Sequence, residues 1–257
     1  MSGIFDVKTL TMDQFHAVYN FLSFGLAAML ATTVFLYASQ SRVLPRYRQA
    51  IAVSATVTLI AMYHYWRMFD SFEAAHGGGD PFNEAYRYVD WLLTVPLLLV
   101  ETIAVLALAK ELRRSLLNKL VPASALMIAL GYPGDVSADT GTKMIFFVLS
   151  MLPFLYILSI LFGQLSKAIS GQSGAVTSQV RRLRTVLLVT WCVYPVSYLM
   201  PVLGFDGANA FVGRQIGYTI ADITAKCLFG LMIYQIARTK SAEDSKEYAW
   251  EIGRAHV

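Results

Sequence analysis

Apolar residues run along this chain in seven blocks, at roughly 12 to 38, 48 to 70, 85 to 109, 116 to 132, 144 to 167, 182 to 203 and 213 to 237, separated by short polar stretches. Each block is close to the about 20 residues that carry an α-helix across a bilayer. The pattern predicts an all-α membrane protein: one seven-transmembrane-helix bundle over 1–240, then a tail at 241–257 whose last residues, Glu251 to Val257, have no periodicity. Bases collect in alternate connections. Arg42, Arg46 and Arg48 follow the first block, Lys110, Arg113, Arg114 and Lys119 the third, and Lys167, Arg181, Arg182 and Arg184 the fifth. The other connections hold Asp70, Glu73, Asp80 and Glu84, then Asp135 and Asp139, then Asp206. By the positive-inside rule the N-terminus is extracellular and the C-terminus cytoplasmic. Gly77-Gly78-Gly79-Asp80-Pro81 opens an outer loop, and Gly131-Tyr132-Pro133-Gly134 reads as the stop of the fourth helix.

Composition agrees with the pattern and narrows the function classes. At 257 residues, 56% hydrophobic and only 15% charged, with mean hydropathy +0.52, the chain is too apolar for an ordinary soluble domain. A net charge of +4 does not mark a nucleic-acid binder, because the bases are spread over several short loops and topology accounts for them. Cys192 and Cys227 lie inside apolar blocks, which predicts no disulfide and no metal site. Met1 to Gln14 carries Asp6, Lys8 and Asp13 without a basic start, so the first helix is expected to serve as its own insertion signal.

Against this apolar background the ionisable residues inside the blocks stand out. The last block contains Asp222 and Lys226, at i and i+4 on one helix face. An ionisable group at mid-membrane costs roughly 2.5 to 3.5 kcal/mol on insertion scales. The pair is therefore either an ion pair kept for helix packing or a chemical handle, a desolvated lysine able to condense with an aldehyde. The third block places Arg87, Asp90, Thr94 and Glu101 on one stripe, since Asp90 to Glu101 is about three helical turns and about 16 Å of rise. Two acids aligned through about half the hydrocarbon thickness read as stations of a proton path. Pro96, between them, is expected to bend that helix. In the second block His64 stands among aromatics, where a core histidine held by one hydrogen bond is the ordinary reading. In the sixth, Trp191, Tyr194 and Tyr198 form a stripe beside Pro195, which suits plain packing or the walls of a flat conjugated ligand.

Taken together, Arg87-Tyr88-Val89-Asp90-Trp91-Leu92-Leu93-Thr94-Val95-Pro96-Leu97, Trp191-Cys192-Val193-Tyr194-Pro195 and Asp222-Ile223-Thr224-Ala225-Lys226 resemble the microbial rhodopsins over nearly the whole chain. Within them the chain is most similar to the bacterial proton pumps of the proteorhodopsin and xanthorhodopsin kind. The resemblance implies all-trans retinal joined to Lys226 as a protonated Schiff base. Asp90 would be the counter-ion and proton acceptor, Asp222 the second anion, Arg87 the balancing cation, Thr94 a hydrogen-bond partner of Asp90, and Glu101 the cytoplasmic proton donor. It reverses the ordinary reading of His64, which would pair with the acceptor. Trp91, Trp191, Tyr194, Pro195 and Tyr198 would line the retinal pocket, and Leu98 would fall at a colour-tuning position where leucine implies green absorption.

The implied protein is a light-driven outward proton pump in the cell inner (plasma) membrane, a transporter and not an enzyme, with protons, the lipid bilayer and further copies of itself as a homo-oligomer for partners. Two features depart from the family pattern. Phe147 stands where carotenoid-binding members have a glycine, so a carotenoid antenna is not expected. The segment Gly213-Arg214-Gln215-Ile216 lacks the glutamate pair of the archaeal proton-release group. The competing readings are a photosensory rhodopsin that signals to a transducer, for which Glu101 has no use, and a retinal-free bundle with a structural Lys226 to Asp222 pair.

Overall fold

The computed structural model describes residues 5–205 and 207–246, and their core is seven long helices. Asp206, expected in the last outer connection, and Met1 to Ile4 and 247–257, with the tail from Glu251 to Val257, lie outside the described residues. The helices are α1 (Met12–Ala38), α2 (Pro45–His76), α3 (Ala85–Val105) and α4 (Lys110–Asp135). After them, α5 comprises Thr140–Ser159, a π-helical stretch Ile160–Gln164 and a last turn Leu165–Ala168. α6 is Gly174–Leu199; α7 comprises Gly207–Asp222, a π-helical stretch Ile223–Leu228, and Phe229–Asp244.

The connections are too short to cross the bundle, so successive helices run antiparallel. α1 packs on α2, α2 on α3, α3 on α4 and α4 on α5, while α7 closes the bundle against α1, α2 and α6. The starts of α1, α3, α5 and α7 share one face, here the N-terminal face. Large apolar side chains such as Phe24, Val34, Leu152, Leu155 and Val189 are exposed on the outside, and polar ones such as Ser54, Thr58, Asp90, Thr94, Glu101, Asp222 and Lys226 are buried within. That inversion of the soluble pattern is what a lipid solvent selects. Five of the seven helices carry an apolar stretch sufficient by itself to cross a membrane; α2 and α6 do not. α2 gives up part of its apolar character to Ser54, Thr58 and His64, which it turns inward.

Helix ends follow local chemistry. Thr11 and Gln14 form a reciprocal capping box at the start of α1, Pro45 opens α2, and Ser173 accepts from the Val176 amide at the start of α6. Asp139 caps α5 by accepting from the Thr142 amide at 2.6 Å, which holds its carboxyl below the usual value.

Several boundaries differ from the sequence reading. α2, α4, α5, α6 and α7 begin earlier than their apolar blocks, because hydropathy marks only the lipid-spanning middle while helical hydrogen bonding continues into polar residues. α3 stops at Val105, short of 109, where Ala107 takes a positive φ of 49°. The predicted stop at Gly131 to Gly134 is corrected: α4 continues through Pro133 to Asp135. Gly134 serves packing instead, since a Cβ there would sit 2.0 Å from the Tyr198 hydroxyl.

Candidate functional site

The site lies where α3 and α7 face each other at mid-depth. α7 widens there into its π-helical stretch, in which Ala225, Lys226 and Cys227 are all buried. Lys226 Nζ donates to Asp90 Oδ2 at 2.7 Å and to Asp222 Oδ1 at 2.6 Å. Arg87 NH1 donates to Asp222 Oδ2 at 3.2 Å. Two cations and two anions thus cancel, which a buried cluster requires if its desolvation is to be offset.

The two carboxylates are held very differently. Asp222 Oδ1 also accepts from Trp91 Nε1 at 3.0 Å and the Tyr194 hydroxyl at 2.8 Å, while Oδ2 also accepts from the Tyr65 hydroxyl at 2.9 Å. Asp222 therefore has five donors. The side chain of Asp90 has one, Lys226, and its buried Oδ1 has no hydrogen-bond partner among the described residues. Donors stabilise the charged form of a carboxyl. Asp222 is built to remain an anion, and Asp90 is the carboxylate with room to take a proton.

The remaining predicted residues fall into place around this cluster, with some differences. The Thr94 hydroxyl donates to the Asp90 backbone carbonyl at 2.8 Å and not to its carboxylate. His64 Nδ1 lies 2.9 Å from the Ile60 carbonyl, which can only accept, so that nitrogen carries the proton. The same atom is 3.9 Å from Asp90 Oδ1, near it but beyond hydrogen bonding. Glu101 is fully buried further along α3, where the Ser54 hydroxyl of α2 donates to Oε2 and Oε1 has no partner among the described residues.

Beside the cluster an aromatic cleft opens between α3, α4, α5 and α6. Trp91, Trp191, Tyr194, Pro195 and Tyr198 are among its walls, as is Phe147, whose ring lies 5.5 Å from that of Tyr198. Leu98 is buried but is not one of these walls. Two of the walls, Trp91 and Tyr194, bond the same Asp222 oxygen as Lys226, which places the lysine cluster directly behind that side of the cleft. A mostly apolar, aromatic slot with a primary amine next to its wall suits an elongated conjugated aldehyde such as retinal.

Sequence reasoning missed four contributors. Tyr65 donates to Asp222, and Gly25 on α1 makes room for it: a Cβ there would come within 2.3 Å of the Tyr65 ring. Ser54 holds Glu101, and Gln215 Oε1 accepts from Arg87 NH2 at 2.9 Å. A buried tyrosine adjoining His64 was the one available signal; the others carry no local mark.

Comparison with known proteins agrees with this geometry. Residues 16–240 match the family model described as bacteriorhodopsin-like protein. The green-light absorbing proteorhodopsin of Gamma-proteobacterium EBAC31A08 is 34% identical, over 87% of this chain and 88% of its own. The blue-light absorbing proteorhodopsin of Gamma-proteobacterium Hot 75m4 is also 34% identical, over 84% of each. Among solved structures, xanthorhodopsin, described as a light-driven ion pump with dual chromophore, superimposes with TM-score 0.85 at 46% identity, covering 91% of this chain and 97% of that one. A thermophilic rhodopsin superimposes with TM-score 0.86 at 42% identity, over 92% and 98%.

Proposed function

The chain belongs to the bacteriorhodopsin-like family, a multi-pass membrane protein and a transporter rather than an enzyme, and from that premise we propose that it is a light-driven pump moving protons outward across the cell membrane. The observation that carries this reading is the asymmetry of the two carboxylates at Lys226: Asp222 is fixed by five donors and Asp90 is left with one.

Lys226 would hold retinal covalently through Nζ, with Trp91, Trp191, Tyr194, Pro195 and Tyr198 along its length. When bound, retinal supplies light absorption and an isomerisation that reorients the N–H at that nitrogen. Asp90 then accepts the proton from Nζ: an N–H bond breaks, an O–H bond forms, and one ion pair is discharged. Asp222 keeps its charge through its remaining donors, so the proton moves toward the N-terminal face and not onto both acids. His64, beside Asp90 Oδ1, and Thr94, on the Asp90 carbonyl, position the acceptor.

Glu101, desolvated and held by Ser54, is the donor. Its O–H bond breaks as the proton moves to Nζ, and it refills from the opposite face. With the N-terminal face outside, the orientation that the alternation of basic loops supports, the net movement is outward. The ring of Phe147 occupies the α5 side of the cleft, which argues against a carotenoid antenna there.

The test is the light-induced pH change in unbuffered suspensions of cells expressing the protein with all-trans retinal. Acidification that disappears with a protonophore and in Lys226→Ala is expected. A coloured protein that gives no pH change would overturn the pump and favour a photosensor.

A further inference from the structure

A second, largely buried ionic cluster, which the pumping steps above do not use, lies at the N-terminal face: Asp135 and Arg214 are buried and Glu84 is partly exposed. Glu84 precedes α3, Asp135 ends α4 and Arg214 belongs to the first turns of α7, and the fold brings them together. Arg214 NH2 donates to Glu84 Oε1 at 2.5 Å, and NH1 donates to Asp135 Oδ1 at 3.3 Å. Gln215 links this cluster to the inner one, with Nε2 donating to Glu84 Oε1 at 3.3 Å and Oε1 accepting from Arg87 NH2 at 2.9 Å. Arg87 in turn is bonded to Asp222. The result is one continuous line of hydrogen-bonded groups from the Lys226 cluster to the surface layer. Asp135 and Arg214 also border a cavity of about 310 Å³ at this face, together with Lys143 and Thr140.

We propose that the Glu84–Arg214–Asp135 cluster is the proton exit station, taking the proton that Asp90 gives up and passing it to solvent at the N-terminal face. This rests on the pump reading above. In the step, the O–H bond on Asp90 breaks and an O–H bond forms on Glu84, with water in contact with Arg87 and Gln215 carrying the proton between them. That bond then breaks and the proton leaves on water, directly or by way of Asp135. Both hydrogen bonds to Glu84 fall on Oε1, and no side chain among the described residues donates to Oε2, which leaves that oxygen to take the proton.

The surroundings suit a transient holder of a proton. Burial raises the Glu84 carboxyl from its ordinary value against the opposing pull of Arg214 and Arg87, and Asp135 raises it further. The other charged group close by, Lys143 of α5, spends its amine on the Gly134 and Asp135 carbonyls, at 3.0 Å each, and not on either carboxylate. Tyr88, Tyr198 and Tyr218, from α3, α6 and α7, are the remaining titratable neighbours, and as neutral phenols they leave the exchange to the acids.

Glu84→Gln separates a proton role from a structural one, because the amide oxygen can still accept from Arg214 and Gln215. The experiment is flash photolysis of the retinal-loaded protein in lipid vesicles, with a pH indicator in the medium. Glu84→Gln is expected to keep the visible band and thermal stability of the unaltered protein while delaying proton appearance, and the return of Asp90 to its carboxylate, about tenfold or more. Asp135→Asn is expected to delay them less. Unchanged timing in both variants, in a parent protein that does pump, would overturn the exit station and reduce the cluster to a structural clamp. A parent protein that moves no protons would instead remove the pump reading itself.

Discussion

At the scale of residues, two aspartates of identical chemistry are set apart by what reaches them. Asp222 collects a lysine, an arginine, an indole and two phenols, whereas Asp90 collects the lysine alone. Hydrogen bonds to a charged acceptor contribute about 1.5 to 3 kcal/mol each when made and leave costly orphans when broken. Two different outcomes follow. Asp90→Asn is expected to shift the visible band to the red and abolish pumping with the fold intact, measured by absorption and by light-driven pH change. Asp222→Asn is expected to lower stability by about 3 to 5 kcal/mol, since the amide replaces one accepting oxygen with an NH2 and leaves buried donors among the five without an acceptor. Pumping that survives Asp90→Asn would remove that residue from the acceptor role.

At the scale of elements, the site depends on how closely helices approach. Tyr65 on α2 reaches Asp222 on α7 only because α1 presents Gly25 against its ring. Gly25→Ala forces that ring to move, and overpacking of this kind costs about 1 to 3 kcal/mol. The expected result is a lower melting temperature together with a displaced visible band, as Tyr65 gives up its bond to Asp222. Tyr65→Phe is expected to displace the band in the same direction with a smaller loss of stability. A Gly25→Ala protein with an unchanged band would show that Tyr65 does not tune the site. The π-helical stretch of α7 is the other local device: it falls at Lys226, and Ala225, Lys226 and Cys227 are buried within it.

At the scale of the whole molecule, transport needs a low-dielectric interior with acids at different depths and water admitted to one at a time. Glu101 lies beyond the Lys226 cluster from the N-terminal face, with Ser54 its one hydrogen-bond partner among the described residues. Glu101→Gln is expected to slow reprotonation of the lysine nitrogen by up to about 10²-fold, the lower range of what a positioned acid contributes. The slowed step should also become faster as external pH falls, because solvent must then supply the proton. Time-resolved absorption at several pH values checks this, and fast, pH-independent recovery would remove Glu101 from the donor role.

Five of the seven helices were legible because lipid demands long apolar runs, and α2 and α6, whose runs are less apolar, were legible as shorter blocks set off by polar connections. The stripe Arg87, Asp90, Thr94 and Glu101 and the pair Asp222 and Lys226 were legible for a related reason: helical periodicity fixes which residues of one helix share a face. Helix ends were read less well, as at α4, where proline and glycine suggested a stop but the helix runs on to Asp135 and Gly134 lies where a Cβ would meet Tyr198. What no single segment could reveal is where different helices meet. Four of the five donors on Asp222, the seat of Tyr65 against Gly25, the bond from Ser54 to Glu101 and the gathering of Glu84, Asp135 and Arg214 all join residues far apart in the chain. A sequence determines the faces its helices present, because that depends on neighbours a few residues away. Which face opposes which, and therefore which acid is held and which is free, is decided only when the bundle closes.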